Sequence, residues 1–418
     1  MKFYVINYLC ADIGRNHCFV KRISDIFVNR ITTPMRKLSL FLVSALLLCS
    51  SKSLAQEQDR VITTAVPFLL VAADARGAGM GDQGVATSAD AFSQQWNPAK
   101  YVFAENSQGF GVTYTPYLSE LVNDIFLGNI TYYNRISERS AFGASFKYFS
   151  LGNIEARDSP DDLPLILIPN EFTLDLSYSL RLSDHFSMAV AGRYLRSDLK
   201  LAPVDPDATA AGSFGVDVAA FYQSEVMTFS NFDGRLRAGA NISNVGPKIK
   251  YDEGGQENFI PTNLKLGTGF DFILDASNKI GAFVEFNKLL VPTPKDFNGD
   301  GRIDAEDNQE YNSIGAIEGI FTSFGDAPDG IAEEMKEVTW ALGAEYTYED
   351  VFSLRTGYFN ESEEKGSRKF FAFGAGFRYT MVNIDISYLF STSKVVSPLE
   401  GTLRFGLTFN FGEKYASM

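Results

Sequence analysis

The chain has 418 residues, 45% hydrophobic and 14% aromatic, with 37 Lys+Arg against 51 Asp+Glu for a net charge of −14. That much apolar material excludes intrinsic disorder, and the acidic balance excludes general nucleic-acid binding, so no nucleic acid is expected as a partner. Thirty-six phenylalanines and nineteen tyrosines, beside two tryptophans and three cysteines, suit an aromatic-rich β protein.

Residues 35–55 read as a signal peptide. Met35-Arg36-Lys37 is a basic head, Leu38 to Leu48 is an apolar run too short to span a bilayer, and Ser53-Leu54-Ala55 places small residues at a cleavage site. Cys49 lies near the end of the run, but Leu48 precedes it where a lipoprotein signal needs a small residue. Residues 1–34, with Cys10, His17 and Cys18, show no clear pattern and read as a non-native extension from a start codon placed too early, Met35 being the true start. Residues 1–55 hold eight of the 37 basic and two of the 51 acidic side chains, which leaves the remainder at net −20. All three cysteines go with the leader. No disulfide, cysteine nucleophile or Cys/His zinc site is then expected in the mature chain. The one histidine left, His185, follows a tight turn and reads as an exposed turn residue. No catalytic residue is assigned, and the protein is expected not to be an enzyme.

Residues 56–107 precede the first strand. Ala72-Ala73-Asp74-Ala75-Arg76-Gly77-Ala78-Gly79-Met80-Gly81 is a run of small side chains with little alternation. Small side chains permit close backbone packing inside a narrow lumen, so the segment reads as an internal plug. Asn97-Pro98 within it is expected to fix a turn.

From residue 108 to 412 the pattern is period-two alternation in blocks of about ten. Phe172, Leu174, Leu176, Tyr178 and Leu180 alternate with Thr173, Asp175, Ser177, Ser179 and Arg181. Val382, Ile384, Ile386, Tyr388 and Phe390 alternate with polar residues, as do Leu403, Phe405, Leu407, Phe409 and Phe411. Successive strand side chains point to opposite faces, so each block has one apolar and one polar surface. Charge at inward positions (Asp175, Arg181, Arg193, Arg378, Asp385, Arg404) favours a barrel with a wet lumen over a dry sandwich. Eleven residues at about 3.3 Å each, tilted about 40°, rise roughly 28 Å, close to the ~25 Å apolar band of an outer-membrane barrel.

The blocks number fourteen: 108–117, 125–135, 140–150, 170–181, 185–197, 212–224, 235–244, 262–273, 278–290, 336–348, 351–359, 369–380, 382–391 and 401–412. The fold class is therefore all-β, a 14-stranded antiparallel transmembrane β-barrel with a short N-terminal plug, integral to the outer membrane and in contact with its lipids. Connections alternate short and long, which puts the N-terminus on the periplasmic, short-turn side.

The longest connection, 291–335, carries a calcium-type motif. Asp296, Asn298, Asp300, Asp304 and Asp307 fall at positions 1, 3, 5, 9 and 12 of an EF-hand-type loop, with the Arg302 carbonyl at position 7 and Gly301 at the sharp turn. Position 12 is Asp rather than Glu, which resembles the calcium loops of dockerin modules. The expected cofactor is one structural calcium ion in an extracellular loop. The paired carboxylates Asp161-Asp162 and Glu363-Glu364 lie in loops and read as solvent-facing charge.

Ala73-Asp-Ala-Arg-Gly-Ala-Gly-Met-Gly81 followed by Trp96-Asn97-Pro98-Ala99 resembles the N-terminal hatch of the long-chain fatty acid transporter family of fourteen-stranded barrels. Over residues 65–130 the chain is more closely similar to the PorV-like barrels of the type IX secretion system of Bacteroidota. The resemblance implies a carrier. Such proteins receive cargo with C-terminal secretion domains as it leaves the translocon barrel and deliver it to a surface sortase complex. The alternative is an outer-membrane channel for long-chain fatty acids or other hydrophobic compounds.

Overall fold

The computed structural model of the protein describes residues 60–119, 121–157, 159, 161–199, 209–252, 255–393 and 397–415. The chain divides into Met1–Gln58 and Asp59–Met418. The first part, with the leader, the extension and all three cysteines, lies outside the described residues.

Each alternating block settles as a strand because only a strand separates its apolar and polar side chains onto two faces. The long strands are β1 (Asn106–Pro116), β2 (Ile125–Arg135), β3 (Ser140–Leu151), β4 (Asn170–Arg181), β5 (Phe186–Asp198), β6 (Ala211–Gln223) and β7 (Asp233–Val245). They continue with β8 (Asn263–Ile273), β9 (Asn278–Leu289), β10 (Val338–Tyr348), β11 (Phe352–Asn360), β12 (Lys369–Tyr379), β13 (Val382–Ser391) and β14 (Leu403–Lys414). Every end falls within two residues of the sequence expectation. Neighbours pair antiparallel, and β14 pairs back with β1, Phe110 opposite Phe409 and Tyr114 opposite Phe405. The sheet is a closed barrel with no open edge, the form in which strands can cross lipid. The irregular connection after β6 adds a two-residue strand, Met227–Thr228, to the start of β7.

Leu174, Leu176 and Tyr178 lie exposed on the outside, where lipid meets them, while Thr173, Asp175, Ser177 and Ser179 of the same strand are buried in the lumen. No helix among the described residues is long and apolar enough to cross a membrane. The chain is an integral outer-membrane barrel. Tight turns close one end. At one of them Glu349 and Asp350 both take left-handed φ, 53° and 55°, as the two central residues of a type I′ turn do, and the Val351 amide donates to the Tyr348 carbonyl at 3.0 Å. The other end carries the long connections.

Residues 60–104 fill the lumen. The described chain begins at the long-connection end, not on the short-turn side where the sequence reading put the N-terminus. Arg60 is held there by Asp329 and Glu333, and the Ala65 amide donates to the Phe259 carbonyl at 2.9 Å. Phe68 stacks on Phe149 at 6.0 Å between ring centres. The segment then descends through α1 (Ala75–Ala78) and α2 (Ser93–Trp96) to a 3₁₀ turn, Pro98–Phe103, near the short-turn end. There Tyr101 stacks on Tyr133 at 4.9 Å before the chain enters β1. Wall glycines make room for the descent. A side chain at Gly239 would collide with the Val85 carbonyl, and one at Gly357 with the backbone of Met80.

Candidate functional site

The plug is seated by polar contacts that start from its own sequence. Asp74 caps α1 by accepting from the Arg76 and Gly77 amides, and its Oδ2 also accepts from Trp96 Nε1 at 2.9 Å. One carboxylate therefore ties the small-residue run to the Trp96–Ala99 motif. Asn97 Nδ2 donates to the Val85 carbonyl at 3.0 Å and to the Ala220 carbonyl of β6 at 2.9 Å. Its Oδ1 accepts from the Ala99 amide at 3.1 Å, starting the 3₁₀ turn whose first residue is Pro98. The carbonyls of Pro98 and Ala99 accept from Ser179 and Ser187 of the wall, both at 2.6 Å, and the Trp96 carbonyl accepts from Asn241 at 3.0 Å. Trp96, Asn97, Pro98 and Ala99 are all buried, and the structure brings them together with β4, β5, β6 and β7.

Several of the lumen charges are paired between plug and wall or across neighbouring strands. Arg76 meets Glu345 of β10 through two bonds, Nε to Oε1 at 3.0 Å and Nη2 to Oε2 at 2.7 Å, and Asp90 at 2.8 Å. Arg355 joins the same Glu345 at 2.7 Å and reaches Asp385 at 2.6 Å. Arg404 pairs with Asp82 of the plug at 2.6 Å. Glu285 of β9 accepts from the Gly84 and Val85 amides at 2.8 and 2.9 Å. Arg193 bridges Asp175 and Asp217, and the Asp217 carboxylate accepts from the Asn244 amide at 2.8 Å. Asn244 has left-handed φ, 61°, at a bulge where the β6–β7 register shifts between Ile242 and Val245.

A second ion cluster closes the long-connection end. Between β9 and β10 the chain forms α3 (Ala305–Ser313), α4 (Ala316–Thr322) and α5 (Ile331–Lys336). Glu333 of α5 receives Arg60 at 2.8 and 2.9 Å and Lys365 at 2.7 Å. Glu337 receives Lys365 at 3.0 Å and Lys288 at 2.7 Å, and Lys288 also meets Glu334 at 2.9 Å. Burial works against the Glu333 carboxylate, but the bonds from Arg60 and Lys365 outweigh it and hold its pKa down at about 2. Beneath this cluster lies a recess of about 440 Å³, lined by Val61, Ile62, Phe68, Tyr117 and Phe149 with Lys365 and Arg368 at its polar side.

The calcium-type residues lie at the start of the same connection. Asp296 accepts from the Gly301 amide at 2.7 Å, Asn298 from the Asp300 amide at 2.9 Å, and Asp300 from the Arg302 amide at 2.8 Å. Asp304 caps α3, and Asp307, buried at 1% exposure, accepts from the Phe297 amide at 2.7 Å and the Asp304 amide at 3.0 Å. These amides hold the Asp307 carboxyl below the usual range, that of Asp304 most strongly. The motif therefore wraps into a loop that joins its own two ends. Its oxygens serve amides, however, and among the described residues no three Asp, Glu, His or Cys side chains converge enough to hold a metal ion.

His185 sits at the short-turn end, half-exposed, with Nδ1 3.1 Å from the Gln223 carbonyl and Nε2 3.4 Å from Glu225. Asp161 and Asp162 are exposed. Glu363 pairs with Lys369 at 2.8 Å, and Glu364 with Lys336. Sequence reasoning missed Asp74, Glu285, Glu345, Arg355, Arg60, Glu333 and Lys365, whose plug-to-wall and loop partners, such as Glu345 for Arg76 and Glu333 for Arg60, are brought to them only by closure of the barrel.

The family model described as type IX secretion system protein PorV matches residues 54–296. No curated protein matches the chain. Among solved structures the chain is similar to the Pseudomonas putida toluene transporter TodX, at 12% identity and TM-score 0.45, covering 84% of this chain and 98% of that one. It is similar to the Ralstonia pickettii toluene transporter TbuX at 13% identity and TM-score 0.45, covering 82% and 100%. A Pseudomonas aeruginosa FadL homologue aligns at 13% identity and TM-score 0.41, covering 85% and 100%.

Proposed function

The chain belongs to the PorV family of type IX secretion system proteins, and on that premise we propose that it is the cargo carrier of that system at the outer membrane. In this reading it receives cargo bearing C-terminal secretion domains at the translocon barrel and delivers it to the surface sortase and attachment complex. The observation that carries the reading is the family match across the plug and the first nine strands, residues 54–296. The lumen, filled by residues 60–104, supports it, because a carrier needs a sealed barrel and a built outer surface. So does the ion cluster on Glu333 and Glu337, which fixes the long connection over the mouth. The chemistry is recognition rather than bond making.

The test is a deletion strain. Cargo should be left unprocessed or stranded in the periplasm while fatty acid uptake stays normal. Normal surface display of cargo would sink the carrier.

One observation favours the second reading, a channel for long-chain fatty acids or other hydrophobic compounds. The recess lined by Val61, Ile62, Phe68, Tyr117 and Phe149 suits an apolar chain, although Lys365 and Arg368 at its polar side are already paired with Glu337 and Glu361. Lost fatty acid uptake with normal cargo display, in the same strain, would select it.

The Asp296–Asp307 loop is proposed as a structural calcium site. The spacing of its oxygens supports this, and Asp300 accepts its amide on Oδ1 alone, which leaves Oδ2 for a cation.

A further inference from the structure

Helix α5 is amphipathic in the inverse sense. Glu333 and Glu337 on one side are buried, at 4% and 6% exposure, while Ile331 and Met335, one turn apart, are 83% and 66% exposed. A helix free to choose would turn its apolar side inward. The ion cluster prevents it. Rolling α5 over would strip the carboxylates from Arg60, Lys365 and Lys288 at the barrel mouth, and an uncompensated buried charge outweighs the burial of two apolar side chains. The apolar side is thus held outward by the buried charges.

Helix α4 repeats the arrangement. Gly319, buried, packs against Phe259 and Pro292, and Ser323 is also buried. Ile317 and Phe321, four residues apart on the opposite side, are 57% and 74% exposed. Lipid does not account for this exposure, because both helices belong to the connection beyond the ends of β9 and β10. Apolar side chains fixed outward on a membrane protein's outer loop mark a contact with something else.

Charge narrows what that is. Glu333, Glu334 and Glu337 are taken up by Arg60, Lys288 and Lys365, but Asp300, Asp304, Glu306, Glu310 and Glu318 are exposed, and the only basic residues between 296 and 337 are Arg302 and Lys336. Lys336 is engaged with Glu364, and Asp329 is also exposed. A second copy of the chain would bring the same acidic fringe, and an anionic lipid surface would be repelled in the same way. We propose that α4 and α5 form a docking face for a polypeptide segment whose apolar side chains are flanked by lysine or arginine. Phe321 and Met335 would be its apolar anchors, with the surrounding carboxylates setting orientation and the rate of encounter. The inference holds whether the barrel is a carrier or a channel.

The test uses the full-length protein in zwitterionic nanodiscs, with empty discs as the blank. The probes are an amphipathic helical peptide of leucine and lysine and its leucine–glutamate counterpart. The lysine peptide should bind, more weakly as salt rises, and the glutamate peptide should not. Phe321→Ser with Met335→Ser should weaken the lysine peptide at least about tenfold while the heat-modifiable gel shift of the barrel is unchanged. Equal binding of both peptides, or an unaffected double variant, overturns the proposal. A photo-crosslinking residue placed at 321 in native membranes gives a second readout. An adduct to an apolar stretch flanked by basic residues supports the proposal, whereas an adduct to lipid, to a second copy, or none at all overturns it.

Discussion

Arg76 of the plug and Glu345 of β10 face each other in two parallel bonds, 3.0 Å for Nε to Oε1 and 2.7 Å for Nη2 to Oε2, across 269 residues of sequence. Bidentate geometry of this kind fixes direction as well as distance. The pair sets both the depth and the rotation of the plug.

Arg76→Ala should therefore loosen the plug without opening the barrel. Removing one partner of a buried pair costs about 3–5 kcal/mol when the other charge is left unpaired, and the loss here should be smaller because Arg355 still bonds Glu345. Arg355 still reaches Glu345 and Asp385, so the wall keeps part of its network. The expected outcome is raised ion conductance in planar bilayers and raised sensitivity of cells to bulky antibiotics, with the heat-modifiable shift retained. Unchanged conductance would show that the pair does not hold the plug.

Gly357→Ala tests the same seat from the other side. The added methyl would meet the Met80 backbone, which cannot swing aside as a side chain could. Overpacking of this kind costs about 1–3 kcal/mol. The variant should have a lower unfolding temperature in detergent. Gly192→Ala is the control, since nothing lies within 4 Å of a methyl there. Equal unfolding temperatures for the two variants would argue against close plug packing.

The barrel was legible because alternation needs only local information. Asp175 among Thr173, Ser177 and Ser179 marks an inward face whatever Asp175 touches. Trp96-Asn97-Pro98-Ala99 was legible as a motif, although its bonds to Asp74, Ala220 and Ser179 were not. Glu345 and Arg355 look like any lumen-facing charge in an alternating block. Their roles come from closure, which brings β10, β11 and β13 round the same point of the plug. The helices of the 290–337 connection escaped for a related reason. α3 is polar on all sides, and α5 is six residues long, so its apolar pair Ile331 and Met335 is too short a stripe to read as a helix. The start of the plug was misplaced because the attraction of Arg60 for Glu333 spans 273 residues.

The Glu333 cluster should be sensitive to acid. Its folded pKa, about 2, lies below its ordinary value of 4.5. The stability it contributes is thus fully present above about pH 4.5 and is lost as pH falls through the folded value. Spin labels near residues 61 and 330 should report one short distance at neutral pH and a broader, longer distribution toward pH 2. Glu333→Gln should show the broad distribution already at neutral pH. A distance that stays short in Glu333→Gln would mean that Arg60 is held by Asp329 alone.

The last prediction concerns calcium. Asp296, Asn298, Asp300, Asp304 and Asp307 have the spacing of an EF-hand-type loop, and Asp307 already joins the two ends by accepting from the Phe297 and Asp304 amides. What is lacking is convergence, since Asp300 and Asn298 are turned to backbone amides. A divalent ion would use the oxygens and lone pairs these amides leave free, such as Asp300 Oδ2, and binding requires the side chains to turn toward one centre. Extracellular sites of this kind bind at about 10⁻⁴–10⁻³ M. Calorimetry on the purified protein should then show binding at millimolar calcium, and limited proteolysis should cut the 290–337 connection more slowly with calcium than with chelator. Asp300→Ala should abolish both effects and leave the barrel's gel shift intact, because Asp300 is exposed and outside the strand ladder. Asp307→Ala should behave differently. It removes the buried carboxylate that holds the loop ends together, so cutting should be fast with or without calcium. Equal cutting of the native loop in calcium and in chelator, with no heat of binding, would reduce the motif to an acidic turn whose carboxylates serve only their own amides.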